Sequence, residues 1–114
     1  VIGDAKATLH LSDREGVESW MRHAVRLAGL SLLGFQSWDL PSTLNNGPGV
    51  SLTAVLVESH AAIETWPEAG VICLCFYSCK PWDPKPVIAS FEEYFGVTKW
   101  ISYLEVPRWG KERI

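Results

Sequence analysis

Two apolar segments constrain the fold of this chain more than any other feature of its sequence. Residues 50–57 (VSLTAVLV) and 71–77 (VICLCFY) are rich in β-branched and other apolar side chains, a composition typical of strands. Both are apolar at odd and at even positions, and successive side chains of a strand point to opposite faces of its sheet. We therefore predict a sheet covered on both faces. Helices can cover one face, and a second subunit is a candidate for the other.

Upstream of these segments the sequence predicts a strand, a helix and another strand. Residues 6–11 (KATLHL) alternate as a short strand does. Ser12, followed three residues later by Glu15, is typical of a capping box, and apolar residues at helical spacing then predict a helix over residues 13–29. Residues 30–40 (LSLLGFQSWDL) predict the second strand.

Turn residues and a second helix account for most of the remaining chain. Residues 41–49 (PSTLNNGPG) and 66–70 (WPEAG) carry the Pro, Gly and Asn that mark turns. Asp83 is a suitable N-cap, a proline follows at the first helical position, and Gly96 ends the helix. Residues 97–106 predict the last strand.

These elements follow one another in the order β-α-β-β-β-α-β and fit a single domain over residues 1–114. A mainly antiparallel sheet with two helices on one face satisfies this order. The sequence therefore predicts an α+β fold, a two-layer sandwich.

Charge and hydropathy restrict the partners. The net charge is −3 and the pI is near 5.5, with Lys and Arg scattered along the chain, which argues against nucleic acid and anionic membrane as partners. No apolar run reaches the roughly 18 residues of a membrane span and no signal peptide is visible, so we expect a cytoplasmic protein. Six tryptophans favour a homo-oligomer, because large aromatics are enriched at interfaces.

The three cysteines, Cys73, Cys75 and Cys79, lie close together in the chain. An odd, closely spaced set is a poor disulfide framework, and the spacing C-x-C-x3-C is not that of a zinc site. We therefore expect no metal, with Cys73 and Cys75 as small apolar residues of a strand. Cys79 ends the apolar run and is a candidate for a separate role.

Residues 56–70 (LVESHAAIETWPEAG) crowd reactive groups between the two apolar segments. Four interpretations of Ser59-His60 are open: a polar strand end, a Ser-His-Asp hydrolase, a ligand-binding module that uses the acidic cluster, and a serine that cleaves its own chain. A hydrolase is disfavoured because the G-x-S-x-G elbow is absent and adjacent strand residues point to opposite faces.

A set of spaced residues decides between these interpretations: Ser51, Glu58-Ser59-His60, Thr65-Trp66-Pro67-Glu68 and Cys79. Together they resemble the small bacterial and archaeal type of S-adenosylmethionine decarboxylase. The order of elements and the chain length resemble that family over nearly the whole chain, and the motifs are specific between Ser51 and Cys79.

The resemblance implies that the chain cleaves itself between Glu58 and Ser59. The Ser59 hydroxyl would attack the carbonyl carbon of Glu58 and form an ester. Elimination of Glu58 as a carboxylate, followed by hydrolysis, would leave a pyruvoyl group, a covalent cofactor derived from Ser59. In the family, a serine that matches Ser51 and a histidine assist this processing.

The resemblance also implies how a small-molecule substrate is decarboxylated. The pyruvoyl ketone would form a Schiff base with the substrate α-amine and accept the electrons left by departing carbon dioxide. Cys79 matches the family's proton donor, and Glu68 matches its substrate-binding glutamate. Trp66 matches a position near the ligand's ring. His60 follows the cleaved serine and is either a further contact of the substrate or a residue that packs or bonds to the backbone.

Two positions depart from the family pattern. The family has a histidine five residues after the processed serine, and this chain has Glu64 there, so the processing base is unassigned. A carboxylate can serve as a base where burial raises its pKa, which keeps Glu64 a candidate. The family also has an aromatic residue before Ser51 that stacks on adenine, and residues 41–49 contain none.

These departures keep three functions open. The first is decarboxylation of S-adenosylmethionine in polyamine (spermidine and putrescine) synthesis. The second is a relative that decarboxylates a basic amino acid, L-ornithine or L-arginine, whose cationic group pairs with Glu64. The third is an unprocessed regulatory or binding homologue. The family further implies a homodimer whose sheets face each other, with active sites near the interface.

Overall fold

The computed structural model describes residues 1–41 and 47–105. Its elements are, in chain order, β1 (Ile2–Ala7), α1 (Arg14–Leu27), β2 (Leu32–Leu40), β3 (Gly49–Leu56), β4 (Ser59–Trp66), β5 (Val71–Ser78), α2 (Pro84–Phe95) and β6 (Val97–Leu104). The strands form one sheet in the order β2-β3-β4-β5-β1-β6, and every neighbouring pair is antiparallel. Both helices pack on the same face, which confirms the predicted α+β sandwich.

The hydrophobic core lies between the helices and one face of the sheet. Leu52, Ile63 and Leu74 come from the three central strands and are at most 1% exposed. They pack in one cluster with residues of both helices, such as Met21 and Phe91. Because alternate residues of each strand point to this layer, the other half of the strand residues lie on the opposite face, called the open face below.

One strand, β4, is absent from the predicted order. Its helix-facing residues Ala61, Ile63 and Thr65 are at most 1% exposed, whereas His60 and Glu64 are exposed on the open face. This is the alternation of a half-buried strand. The polar residues predict a connection, but the segment pairs with strands on both sides and lies in the middle of the sheet.

The first strand lies earlier than predicted. Residues 6–11 were expected to be extended, but β1 ends at Ala7. Past that point the chain turns toward the end of α2, where the Leu9 N–H donates to the Phe95 carbonyl at 3.0 Å. His10 then adopts a left-handed φ of 61°, which no strand residue has.

Local signals identified the ends of the helices well. Asp83 caps α2, and Gly96 ends it in the left-handed conformation with φ 61°, as predicted. At α1 the predicted cap was Ser12, but the structure has Asp13 there, whose Oδ1 accepts from the Gly16 N–H at 2.9 Å. A carboxylate at this position also interacts favourably with the helix dipole.

The open face remains partly apolar. Large side chains there are strongly exposed: Ile2 (58%), Trp38 (52%), Val55 (52%) and Leu104 (56%). Among the described residues, neither helix is long and apolar enough to cross a membrane. The end of the last predicted strand, Val106, and most of the predicted loop 41–49 lie outside the described residues.

Candidate functional site

The predicted cleavage bond lies in the tight turn that joins β3 to β4. Val57 and Glu58 form the turn, and Ser59 is the first residue of β4. Both turn residues are fixed to Ser31, just before β2. The Val57 N–H donates to the Ser31 carbonyl at 2.9 Å, and Oε1 of Glu58 accepts from the Ser31 N–H at 3.0 Å. These two hydrogen bonds fix the turn to the segment before β2, in addition to the pairing of β3 with β4.

Cys79 lies beside this bond. Its backbone N–H donates to the Glu58 carbonyl oxygen at 3.0 Å, and the preceding residue, Ser78, pairs with Ser59. Cys79 is exposed. The structure thus brings one predicted catalytic residue next to the predicted cleavage bond, although the two are about twenty positions apart in the sequence. The N–H also fixes the direction of the carbonyl that the Ser59 hydroxyl would attack.

Ser59 and His60 are in contact. Ser59 Oγ lies 3.2 Å from His60 Nδ1, within hydrogen-bonding distance. The His60 ring packs against Tyr77, its partner on β5, with ring centroids 5.4 Å apart. Strand alternation predicts these neighbouring side chains on opposite faces. The prediction is wrong for their polar atoms, because Ser59 directly follows the turn and its hydroxyl lies within hydrogen-bonding distance of the imidazole.

A second cluster of polar side chains, separate from the residues around Ser59, runs across four neighbouring strands on the open face. Ser51, Glu64 and Cys73 are directly paired on β3, β4 and β5, and Asp4 of β1 pairs with Cys73. The Cys73 thiol donates to Asp4 Oδ1, and the Ser102 hydroxyl donates to Asp4 Oδ2 at 3.2 Å. Burial, as the larger cause, and the neighbouring Asp4 carboxylate together raise the pKa of the Cys73 thiol to about 12. This thiol therefore stays protonated at neutral pH.

The polar cluster around Ser59 and the polar cluster that contains Glu64 lie apart within one chain. Glu64 is five residues beyond Ser59 on an extended strand, which corresponds to about 17 Å. Ser51 pairs with Glu64 and not with Ser59. The structure therefore brings together Glu58, Ser59, His60 and Cys79, called the cleavage group below. Ser51, Glu64, Cys73 and Asp4 form another cluster, called the acidic row.

Trp66 and Glu68 lie farther still from the cleavage bond. Trp66 ends β4, about 23 Å along the strand from Ser59, and is half-buried. Glu68 is exposed in the turn that follows, where the Ala69 N–H donates to the Trp66 carbonyl at 3.1 Å. Their predicted part in substrate binding stays a prediction, because neither residue reaches Ser59 within the same chain.

Two cavities among the described residues compare as follows. The larger, of about 560 Å³, lies between the helices and is lined by residues such as His10, Trp20 and Tyr94. The smaller, of about 110 Å³, lies on the open face and is lined by Asp4, Glu64 and Cys73 among others. Reactive side chains converge on the smaller cavity, which makes it the better candidate for a functional site. The described residues contain no cluster of three or more His, Cys, Asp or Glu suited to a metal ion.

Sequence reasoning missed two contributors to these groups. Ser31 acts through its backbone, so no feature of its side chain could have identified it. Asp4 lies outside the predicted first strand, residues 6–11, and belongs to β1 in the structure. The alternation of residues 2–7 (IGDAKA), with small side chains facing the helices, is the signal that could have included it.

Comparison with known proteins gives a consistent picture. A family model described as "S-adenosylmethionine decarboxylase" matches residues 2–108. An "S-adenosylmethionine decarboxylase proenzyme" of Saccharolobus solfataricus is 34% identical over 71 residues, which is 62% of this chain and 52% of that relative. One of Aeropyrum pernix is 35% identical over 69 residues, 60% of this chain and 48% of the relative. The chain spans about half the length of the curated relatives it matches.

A solved structure supports the same fold. The crystal structure of the adenosylmethionine decarboxylase from Aquifex aeolicus VF5 superposes with a TM-score of 0.70, covering 94% of this chain and 93% of that one. The two sequences are 20% identical in this comparison, so this similarity concerns the fold alone.

Proposed function

Because the chain belongs to the S-adenosylmethionine decarboxylase family, we propose that it is a self-processing, pyruvoyl-dependent α-decarboxylase that acts on S-adenosylmethionine in polyamine synthesis. One observation carries the proposal. The Glu58–Ser59 bond sits in a tight turn with its carbonyl oxygen bound by the Cys79 N–H and its serine hydroxyl beside His60.

Self-cleavage would begin with an acyl shift from nitrogen to oxygen. The Ser59 hydroxyl oxygen attacks the Glu58 carbonyl carbon, the bond from that carbon to the Ser59 nitrogen breaks, and an ester replaces the amide. Removal of the Ser59 α-proton then expels Glu58 as a free carboxylate and leaves dehydroalanine. Tautomerisation and hydrolysis release ammonia and leave a ketone at position 59.

The backbone supports the first of these steps. As the hydroxyl adds, negative charge develops on the Glu58 carbonyl oxygen, and the Cys79 N–H is already 3.0 Å from that atom. A fixed donor at a developing oxyanion is typically a large contribution to catalysis. The hydrogen bond from the Ser31 N–H to the Glu58 side chain restrains the residue whose carbonyl carbon the Ser59 hydroxyl attacks.

The residues present fit the cofactor that such cleavage would form. The pyruvoyl ketone supplies the electron sink that loss of carbon dioxide from an α-amino acid requires. Cys79 is exposed next to position 59, so its side chain is suited to return a proton to the substrate α-carbon. Trp66 and Glu68 are proposed to contact the rest of the substrate.

A homodimer would unite the two polar groups. The cleavage group and the acidic row are about 17 Å apart along β4, and the open face that carries the acidic row exposes Trp38 and Val55. We propose that two copies pack with these faces together, so that Ser51 and Glu64 of one copy lie near Ser59 of the other. Association would also cover apolar surface that a single copy leaves in water.

Glu64 bears on the substrate. S-adenosylmethionine is a sulfonium cation, and a carboxylate near the reaction centre would attract its charge. The relatives compared above carry the name of the S-adenosylmethionine enzyme, which favours that substrate over ornithine or arginine. A cytoplasmic location stays a prediction.

Intact mass of the denatured protein tests the proposal. Processing should give a piece of residues 1–58 and a piece of residues 59–114, and a single full-length mass would indicate the unprocessed homologue instead. The processed protein should then release labelled carbon dioxide from carboxyl-labelled S-adenosylmethionine. Greater release from labelled ornithine or arginine would replace the substrate but keep the mechanism.

A further inference from the structure

We propose that His60 is the base that takes the hydroxyl proton of Ser59 in self-cleavage, an inference that rests on the proposed function. The position where the family has its processing histidine is occupied by Glu64, which leaves that step without an assigned base. His60 is placed for it, because its Nδ1 lies 3.2 Å from Ser59 Oγ.

The imidazole is held in this position by its strand partner. His60 pairs with Tyr77 of β5, and the two rings lie 5.4 Å apart with 31° between their planes. In the tautomer that carries its proton on Nε2, Nδ1 is an acceptor and the Ser59 hydroxyl donates to it. That arrangement is what general-base removal of the hydroxyl proton requires.

In the described part of the chain, two other polar side chains near the bond already have hydrogen-bond partners, and Glu64 is distant. The Glu58 carboxylate accepts from the Ser31 N–H at 3.0 Å, and the Ser78 hydroxyl donates to the Lys80 carbonyl at 2.9 Å. Glu64 of the same chain is about 17 Å along the strand. A partner's Glu64 could approach in a dimer, but His60 makes its contact without one.

The His60 imidazole both accepts and returns the proton that is transferred in this step. His60 accepts the Ser59 hydroxyl proton as the oxygen bonds to the Glu58 carbonyl carbon. The tetrahedral adduct then collapses, the bond from Glu58 carbon to Ser59 nitrogen breaks, and the imidazolium returns its proton to that nitrogen. The step ends with an ester, a free amine and a neutral histidine, and it consumes no other reactant.

Two substitutions separate a base from a merely structural residue. His60→Ala removes the ring, and His60→Asn keeps a hydrogen-bonding side chain that cannot accept the proton. We expect both to slow the appearance of the 1–58 piece by about 100-fold or more, the usual range for loss of a general base. Imidazole added to His60→Ala should restore part of the rate and should leave His60→Asn slow.

The matched control is His23→Ala, an exposed histidine on α1, which should cleave at the parent rate. Circular dichroism and urea midpoints show whether a variant is slow only because it is unfolded. If His60→Ala is unfolded, the cleavage rate of His60→Asn is the test. The inference is overturned if the parent cleaves and both His60 variants cleave at the same rate as the parent. It is also overturned if His60→Asn alone restores the parent rate, or if imidazole gives no rescue of folded His60→Ala. A parent that never cleaves removes the proposed function and this inference together.

Discussion

The two faces of β4 differ in what they contribute. The helix-facing residues Ala61 and Ile63 are fully buried, whereas His60 and Glu64 on the open face are exposed. Burial of apolar side chains is the main source of folding free energy, so the helix-facing residues stabilise the strand. The exposed residues are then free to carry chemistry. A single strand thus separates stability from function by alternate positions, which explains how the polar segment can lie mid-sheet.

The largest expected effect comes from the buried side. Ile63→Ala should lower the free energy of unfolding by about 2–5 kcal/mol, because it removes buried methyl groups and leaves a cavity. Urea unfolding measures this. Leu33→Ala is the control, since Leu33 is 67% exposed, and it should cost less than about 1 kcal/mol. Equal losses for the two variants would contradict the assignment of stability to the helix-facing side.

A smaller effect, on turnover and not on folding, is expected from the open side. Glu64→Gln removes the proposed attraction to the substrate cation and should lower kcat/KM for S-adenosylmethionine about tenfold, equivalent to about 1.4 kcal/mol. Its unfolding free energy should stay within about 0.5 kcal/mol of the parent. Carbon dioxide release by fully processed protein provides the measurement, with Glu93→Gln, at an exposed position of α2, as control. Unchanged turnover would rule out the proposed contact with the cation.

The smallest effect tests the helix layer. Hydrogen bonds from the Gly16 N–H and then from His10 hold the pKa of Asp13 below its usual value of 3.8. Asp13→Ala removes the N-cap of α1 and should cost about 1 kcal/mol at neutral pH. Because the folded pKa is lowered, this contribution is present above the unfolded pKa and is lost as pH falls through the folded one. Urea midpoints of parent and variant should thus converge toward low pH. A difference between the two midpoints that is the same at pH 7 and pH 3 would contradict a stabilising role of the ionised Asp13 carboxylate.

Sequence signals of short range predicted most of the fold. The cap at Asp83 and the left-handed Gly96 fix the ends of α2 through contacts only a few residues apart. The strand β4 was missed because its polar half faces open surface, and only its two neighbours in the sheet make it a central strand.

The candidate site was harder to predict, because its contacts join distant parts of the chain. The resemblance named Ser51 and Ser59 as partners in processing, yet the register pairs Ser51 with Glu64. The Cys79 N–H donates to the Glu58 carbonyl, and the Ser31 backbone contacts the Val57 N–H and the Glu58 side chain. The register of the β3-β4 hairpin follows from its two-residue turn, so Ser51 and Glu64 become partners only once β4 is recognised as a strand. The contacts of Cys79 and Ser31 depend on pairing between segments that are farther apart in the sequence.

The chemistry of residue 59 after purification tests self-cleavage most directly. We expect the piece of residues 59–114 to have no free α-amine, to resist Edman degradation and to react with a hydrazide through its ketone. Ser59→Ala should remain one full-length chain under the same conditions. A 59–114 piece that begins with an unmodified serine would show ordinary proteolysis at this turn, and it would contradict self-cleavage to a pyruvoyl group.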